Sequence, residues 1–189
     1  MFVRRSFLKF AALSPFAVNA ASAAYAPAPR AGKARFTPTL NAYSFLEQLN
    51  ANLADATKGI DLFGVVDFCV KHDIEAVDLT GYFFPGYPKA PADGYVNRIK
   101  RYTHDRGITI SGTGVKNDFA TADKAVRAEG VALTKLWIEV AARLGAPVVR
   151  VFAGPQQKNA RDWQAAANGA KREDVEGWMA DAVRECAEH

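Results

Sequence analysis

Arg150 interrupts an apolar run, Val148-Val149-Arg150-Val151-Phe152-Ala153-Gly154-Pro155. A guanidinium there must be paired or face a cavity, because burying it unpaired is costly. Leu144-Gly145-Ala146-Pro147 precedes the run and Gly154-Pro155 ends it, so it reads as a buried parallel strand with Arg150 near its carboxyl end. There Arg150 could grip an anionic or hydroxyl group bidentately. Asp78 lies in a second apolar strand, as a catalytic acid or as Arg150's structural ion-pair partner. Asn41 and Tyr43 end a first strand, where they could meet a ligand or bond neighbouring backbone. Asn117 and Asp118 follow a third strand and could bind a polyol or cap the turn before Phe119. Gly81-Tyr82-Phe83-Phe84-Pro85-Gly86-Tyr87-Pro88 gathers aromatic rings between turn residues. Tyr82 and Phe83 would suit the apolar face of a sugar ring, unless the loop only plugs the end of the fold. Trp163, with Gln156, Gln157 and Asn159, is a rim or a solvated loop.

Other chemistries are poorly supplied. Gly112-Thr113-Gly114 has no third spaced glycine and no adjoining Lys-Ser/Thr, which argues against nucleotide binding. His72 and His104 fall near predicted helix carboxyl ends, where an imidazole is favourable without any chemistry. With His189 they make no metal motif, and no Gly-x-Ser-x-Gly elbow occurs.

The elements that must position these residues form a repeating pattern. Strands over Thr39–Ser44, Glu75–Leu79, Ile108–Gly112 and the Val148 run alternate with amphipathic helices. One helix carries Leu62, Val65, Val66 and Cys69, the next Tyr95, Ile99 and Tyr102. The third carries Leu133, Trp137, Val140 and Leu144, the last Val175, Trp178, Ala182 and Cys186. Strand starts recur about every 35 residues, a strand plus a crossover helix, so the strands are parallel. Helix-to-strand junctions are short and carry Gly107 or Gly145, whereas strand-to-helix loops are long, polar or aromatic. That asymmetry fits a TIM (β/α)8-type barrel with its site on the carboxyl-end face. It also fits a doubly wound open sheet. A full barrel takes about 250 residues, so we expect residues 37–189 to be the amino-terminal half of one, holding its first four βα units.

The amino terminus reads differently. Arg4-Arg5-Ser6-Phe7-Leu8-Lys9, an apolar stretch to Val18 and Ala21-Ser22-Ala23 have the three parts of an export signal of the twin-arginine type. The expected partner is the twin-arginine export machinery and the expected location periplasmic or otherwise exported. The stretch is shorter than the roughly 20 residues that span a bilayer, so no stable membrane anchor is expected. Residues 24–36 read as a linker. Arg4, Arg5 and Lys9 take the formal charge from +4 to +1, and Arg30, Lys33 and Arg35 take it to −2. The basic charge thus belongs to the tail and gives no support for nucleic-acid binding. Cys69 and Cys186 read as buried hydrophobes; an exported protein would also permit a disulfide.

Asp78-Leu79-Thr80-Gly81-Tyr82-Phe83-Phe84-Pro85-Gly86-Tyr87-Pro88, Ile110-Ser111-Gly112-Thr113-Gly114-Val115-Lys116-Asn117-Asp118-Phe119 and Val149-Arg150-Val151-Phe152-Ala153-Gly154 resemble the sugar phosphate isomerase/epimerase family, the xylose-isomerase-like barrels. The resemblance spans residues 37 to 189 and is nearest to exported members. It implies a carbohydrate substrate and a divalent metal (Mn, Mg, Zn or Co) held by carboxylates and a histidine on later strands. A proton is then moved beside a sugar carbonyl. No such ligand can be matched here, so the chain to His189 alone is expected to be inactive and only the substrate-side contacts Asn41, Tyr43, Asp78, Tyr82, Phe83, Asn117, Asp118 and Arg150 carry over. A chain ending in truth at His189 is expected to expose apolar barrel edges and either to self-associate as a homo-oligomer or to be poorly soluble. The alternatives are a non-catalytic sugar-binding protein and, further off, an endonuclease-like phosphodiesterase.

Overall fold

The computed structural model describes residues 36–154 and 167–189. The signal, nearly all of the linker, and Gln156, Gln157, Asn159 and Trp163 lie outside the described residues. Four parallel strands form an open sheet in sequential order: β1 (Thr39–Asn41), β2 (Ala76–Asp78), β3 (Thr109–Gly114) and β4 (Val149–Arg150). Asn41 stands beside Asp78, Asp78 beside Gly112, and Gly114 beside Arg150. The expected end residues therefore share one end of the sheet, in a partial βα barrel of the expected class. The described helices are α1 (Leu46–Ala54), α2 (Leu62–Lys71), α3 (Asp93–Asp105), α4 (Lys124–Leu144) and α5 (Arg172–Ala187).

β2 and β4 are shorter than the sequence reading, and two strand ends and one helix depart from it for local reasons. β1 stops at Asn41, whose Oδ1 accepts from Tyr43 N at 2.8 Å and starts a 3-10 turn over Ala42–Phe45. The turn leads into α1, a helix the sequence pattern does not announce. Its Leu-Glu-Gln-Leu-Asn-Ala-Asn-Leu-Ala has no glycine, proline or β-branched residue, so it favours helix, yet it fully buries only Leu49. β3 runs past Gly112 to Gly114, because Thr113 N donates to Val148 O at 2.9 Å and Val115 N to Arg150 O at 3.1 Å.

The helices cover one face of the sheet. Leu62, Val65, Val66 and Cys69 of α2, Val96 and Ile99 of α3, and Trp137, Val140 and Leu144 of α4 bury against Val77, Leu79 and Ile110. Asp123 caps α4, accepting from Ala125 N at 2.8 Å, and Gly145 ends it at φ 77°, a left-handed position that suits glycine. A smaller cluster joins Phe119 to Ala182 and Cys186 of α5. Cys69 and Cys186 are both buried and free, so the disulfide alternative falls and the hydrophobic one holds. Among the described residues no helix is long and apolar enough to cross a membrane.

Candidate functional site

At the carboxyl ends of the strands lies a hollow of about 520 Å³ lined by Asn41, Tyr43, Ser44, Tyr82, Lys116, Arg150 and Phe152. Four of these come from the strand-end residues singled out by sequence: Asn41, Tyr43, Tyr82 and Arg150. Ser44, Lys116 and Phe152 are additions. Lys116 follows β3 at the same level as the chosen Asn117, and an exposed lysine after a strand carries no signal that separates it from a solvated one.

Arg150 has no carboxylate within 4 Å among the described residues, so the ion-pair alternative for Asp78 does not form. Its Nη2 donates to Tyr82 Oη at 3.3 Å, and its guanidinium lies 4.4 Å from the Phe152 ring centroid. Gly114 makes room for it: a methyl there would come within 2.8 Å of Nη2. At Gly112 an added methyl would lie 3.2 Å from Val148 O and only in ordinary contact with Asp78 Oδ2, at 3.4 Å. The second glycine of the Gly-Thr-Gly stretch thus accommodates the Arg150 side chain from the neighbouring strand.

Thr80 Oγ1 lies 3.1 Å from both Asn41 Oδ1 and Asp78 Oδ1, linking the ends of β1 and β2. Asn41 Oδ1 is therefore occupied by protein donors, which leaves its Nδ2 amide for the hollow. Asp78 is half-buried behind Thr80 and does not line the hollow. Burial holds its carboxyl above the usual range, while the Thr80 hydrogen bond and the Arg150 charge pull the other way. A carboxyl raised on folding favours the folded state most when protonated. Its contribution is fully present below the ordinary value of about 4 and is lost as pH rises through the elevated folded value. Asp78→Asn is therefore expected to raise the melting temperature at pH 7 and to remove the part of the decline that sets in above about pH 4. Thermal unfolding followed by circular dichroism at several pH values tests this; a variant melting below the parent at pH 7 contradicts it.

The remaining chosen residues support the fold. Phe83 is 2% exposed and belongs to the core, so it offers no face to the hollow. Asn117 is 4% exposed; its Nδ2 donates to Phe152 O at 2.7 Å and its Oδ1 accepts from Phe152 N at 2.8 Å. It clamps the segments after β3 and β4 together. Asp118 Oδ1 accepts from Ala120 N at 2.9 Å and Thr121 N at 3.2 Å, the turn-capping role rather than the polyol one. The aromatic loop both plugs and lines: Phe84 packs edge-on against Trp137 at 5.4 Å, while Tyr82 meets Tyr43 edge-on at 6.1 Å. Burial pushes the Tyr82 hydroxyl up despite Arg150's opposing charge, so it stays protonated at neutral pH.

The described residues do not fit a metal cage. No three His, Cys, Asp or Glu side chains converge among them, and neither carboxylate nor imidazole lines the hollow. What the arrangement can do is hold a polar ring, with two tyrosines against it and an amide, a guanidinium and an ammonium around it.

A family model described as xylose isomerase-like TIM barrel matches residues 66–189. The fold superposes on the D-psicose 3-epimerase of Clostridium cellulolyticum H10, solved with D-tagatose, at a TM-score of 0.59 and 15% identity. That match covers 81% of this chain and 48% of the epimerase, so the chain spans about half the epimerase's length; at this identity the likeness is one of fold. A Sinorhizobium meliloti 1021 protein gives a TM-score of 0.46 and 17% identity over 79% of this chain and 47% of its own. No curated protein sequence matches the chain.

Proposed function

Because the chain belongs to the xylose isomerase-like TIM barrel family, we propose that the protein is a carbohydrate isomerase or epimerase, active on the carbon beside a sugar carbonyl. The observation that carries this reading is the strand-end hollow, where Asn41, Tyr43, Tyr82 and Arg150 meet around one space. Tyr43 and Tyr82 hold the apolar side of the ring, and the Asn41 amide and Arg150 guanidinium bond its oxygens. The twin-arginine pattern at Arg4-Arg5 supports a periplasmic setting.

The test is solvent exchange. The intact protein is incubated in deuterated water with ketohexoses, D-psicose and D-tagatose first among them, and with aldoses, with and without added divalent metal. Deuterium incorporation beside the carbonyl, read by NMR or mass spectrometry, is the expected result, and no exchange across the panel refutes the reading. One observation favours a second reading: the hollow's described lining holds no carboxylate or imidazole to move a proton. A non-catalytic sugar-binding protein would bind members of the same panel, survive chelation and give no exchange.

A further inference from the structure

One hydroxyl stands between two acceptors behind the hollow. Thr80 is fully buried, and its Oγ1 lies 3.1 Å from Asn41 Oδ1 and 3.1 Å from Asp78 Oδ1. The Asn41 oxygen cannot change places with the amide nitrogen, because Tyr43 N donates to that atom at 2.8 Å. Thr80 thus brings one hydrogen for two oxygens. Of the three side chains only the Asp78 carboxyl can take up a second.

The surroundings of Asp78 favour that proton. The carboxyl is half-buried, and its burial outweighs the opposing charge of Arg150 on β4. Tyr82, on the turn after β2, is the other titratable group that interacts with it, and its hydroxyl stays neutral. The flanking strands set only Asn41 and Gly112 beside Asp78.

We infer that in this arrangement Asp78 carries its proton and donates it to Thr80 Oγ1, whose own hydrogen goes to Asn41 Oδ1, which makes Thr80 a positioning residue for the Asn41 amide at the hollow. Loss of the Asp78 proton to solvent turns the Thr80 hydroxyl towards the carboxylate and leaves Asn41 Oδ1 to Tyr43 N alone. The amide is therefore held best below the Asp78 midpoint and loosens as pH rises through it. The proton chain is testable without a ligand; only its effect on binding rests on the carbohydrate reading.

The experiment follows two signals of the intact protein by NMR against pH: the Asp78 side-chain carboxyl, assigned by its loss in Asp78→Asn, and the Asn41 side-chain amide, assigned by its loss in Asn41→Ser. Asp78 is expected to titrate above the ordinary aspartate value of about 4, and the Asn41 amide to shift at the same midpoint. Thr80→Val, which keeps the shape and removes the hydroxyl, should abolish most of the amide shift, and Thr80→Ser should restore it. An Asp78 midpoint at or below the ordinary value overturns the inference. So does an amide shift that survives in Thr80→Val, since it would report charge through space. Calorimetry with D-psicose and D-fructose then reads the positioning role: affinity should fall about fivefold as pH rises through the Asp78 midpoint, the factor for one net hydrogen bond. In Asp78→Asn, whose amide donates to Thr80 at any pH, it should stay at the acid level; an equal fall there, or a flat profile in the parent, overturns that role. Refusal of both sugars counts against the carbohydrate reading alone, and the NMR titration still decides the proton chain.

Discussion

Replacing Trp137 with alanine is expected to lower the unfolding free energy by about 4 kcal/mol, the range for emptying a buried tryptophan site. Trp137 is fully buried and packs against Phe84 at 5.4 Å and Tyr87 at 5.5 Å, ring centroid to centroid. Its Nε1 donates to Pro88 O at 3.2 Å, so both edges of the aromatic loop rest on it. The contact at Gly81 is close: a methyl there would come within 2.9 Å of the Trp137 ring and 2.6 Å of Gly114 O, so the backbone cannot move in to fill the space cheaply. Domains are typically stable by only about 5–15 kcal/mol, so the loss should be visible as an early urea midpoint with an unchanged slope. Trp137→Phe, which keeps most of the ring but loses the hydrogen bond to Pro88, should cost about 1–2 kcal/mol and keep the order of the two variants measurable. A Trp137→Ala protein that unfolds within about 1 kcal/mol of the parent would show that this residue is not the keystone of the loop.

The second large effect falls on binding. Arg150→Met is expected to weaken affinity for whichever sugar the protein binds by about 30-fold, roughly 2 kcal/mol for a lost charge-assisted hydrogen bond. The fold should tolerate the change, since Arg150 has no carboxylate partner within 4 Å and methionine preserves most of the stem over Phe152. Gly114→Ala provides a control that keeps the charge. Its methyl would press on the mobile end of Arg150 rather than on backbone, so it should shift the guanidinium and weaken binding with little loss of stability. Calorimetry and thermal unfolding on the same samples separate the two effects. An Arg150→Met protein with parental affinity would remove the guanidinium from the site.

Legibility in the sequence followed the range of the interactions involved. Strand and helix alternation could be read because apolar spacing records which face of an element is covered, and Gly107 and Gly145 marked helix ends through their backbone geometry. Arg150 could be singled out because a guanidinium in an apolar run needs a mouth. α1 was missed because it buries little, so its pattern is faint. Asp78, Asn117 and Phe83 were chosen with residues that reach the hollow, and nothing local distinguishes them. Asp78 is set behind Thr80, Asn117 is turned to Phe152, and Phe83 is turned into the core by the 3-10 turn over Gly81–Phe83.

The sequence by itself determined the parallel βα order and the end of the sheet at which polar chemistry collects, since hydrophobic period and turn residues act over a few positions. Only the tertiary structure decided which of those polar groups face the hollow and which hold the fold. A side chain's hydrogen-bond partner sits on or just after another strand, often 30 or more residues away, as with Asn117 and Phe152 or Thr80 and Asn41. The register between strands, together with the space that Gly114 leaves open for Arg150, makes that choice.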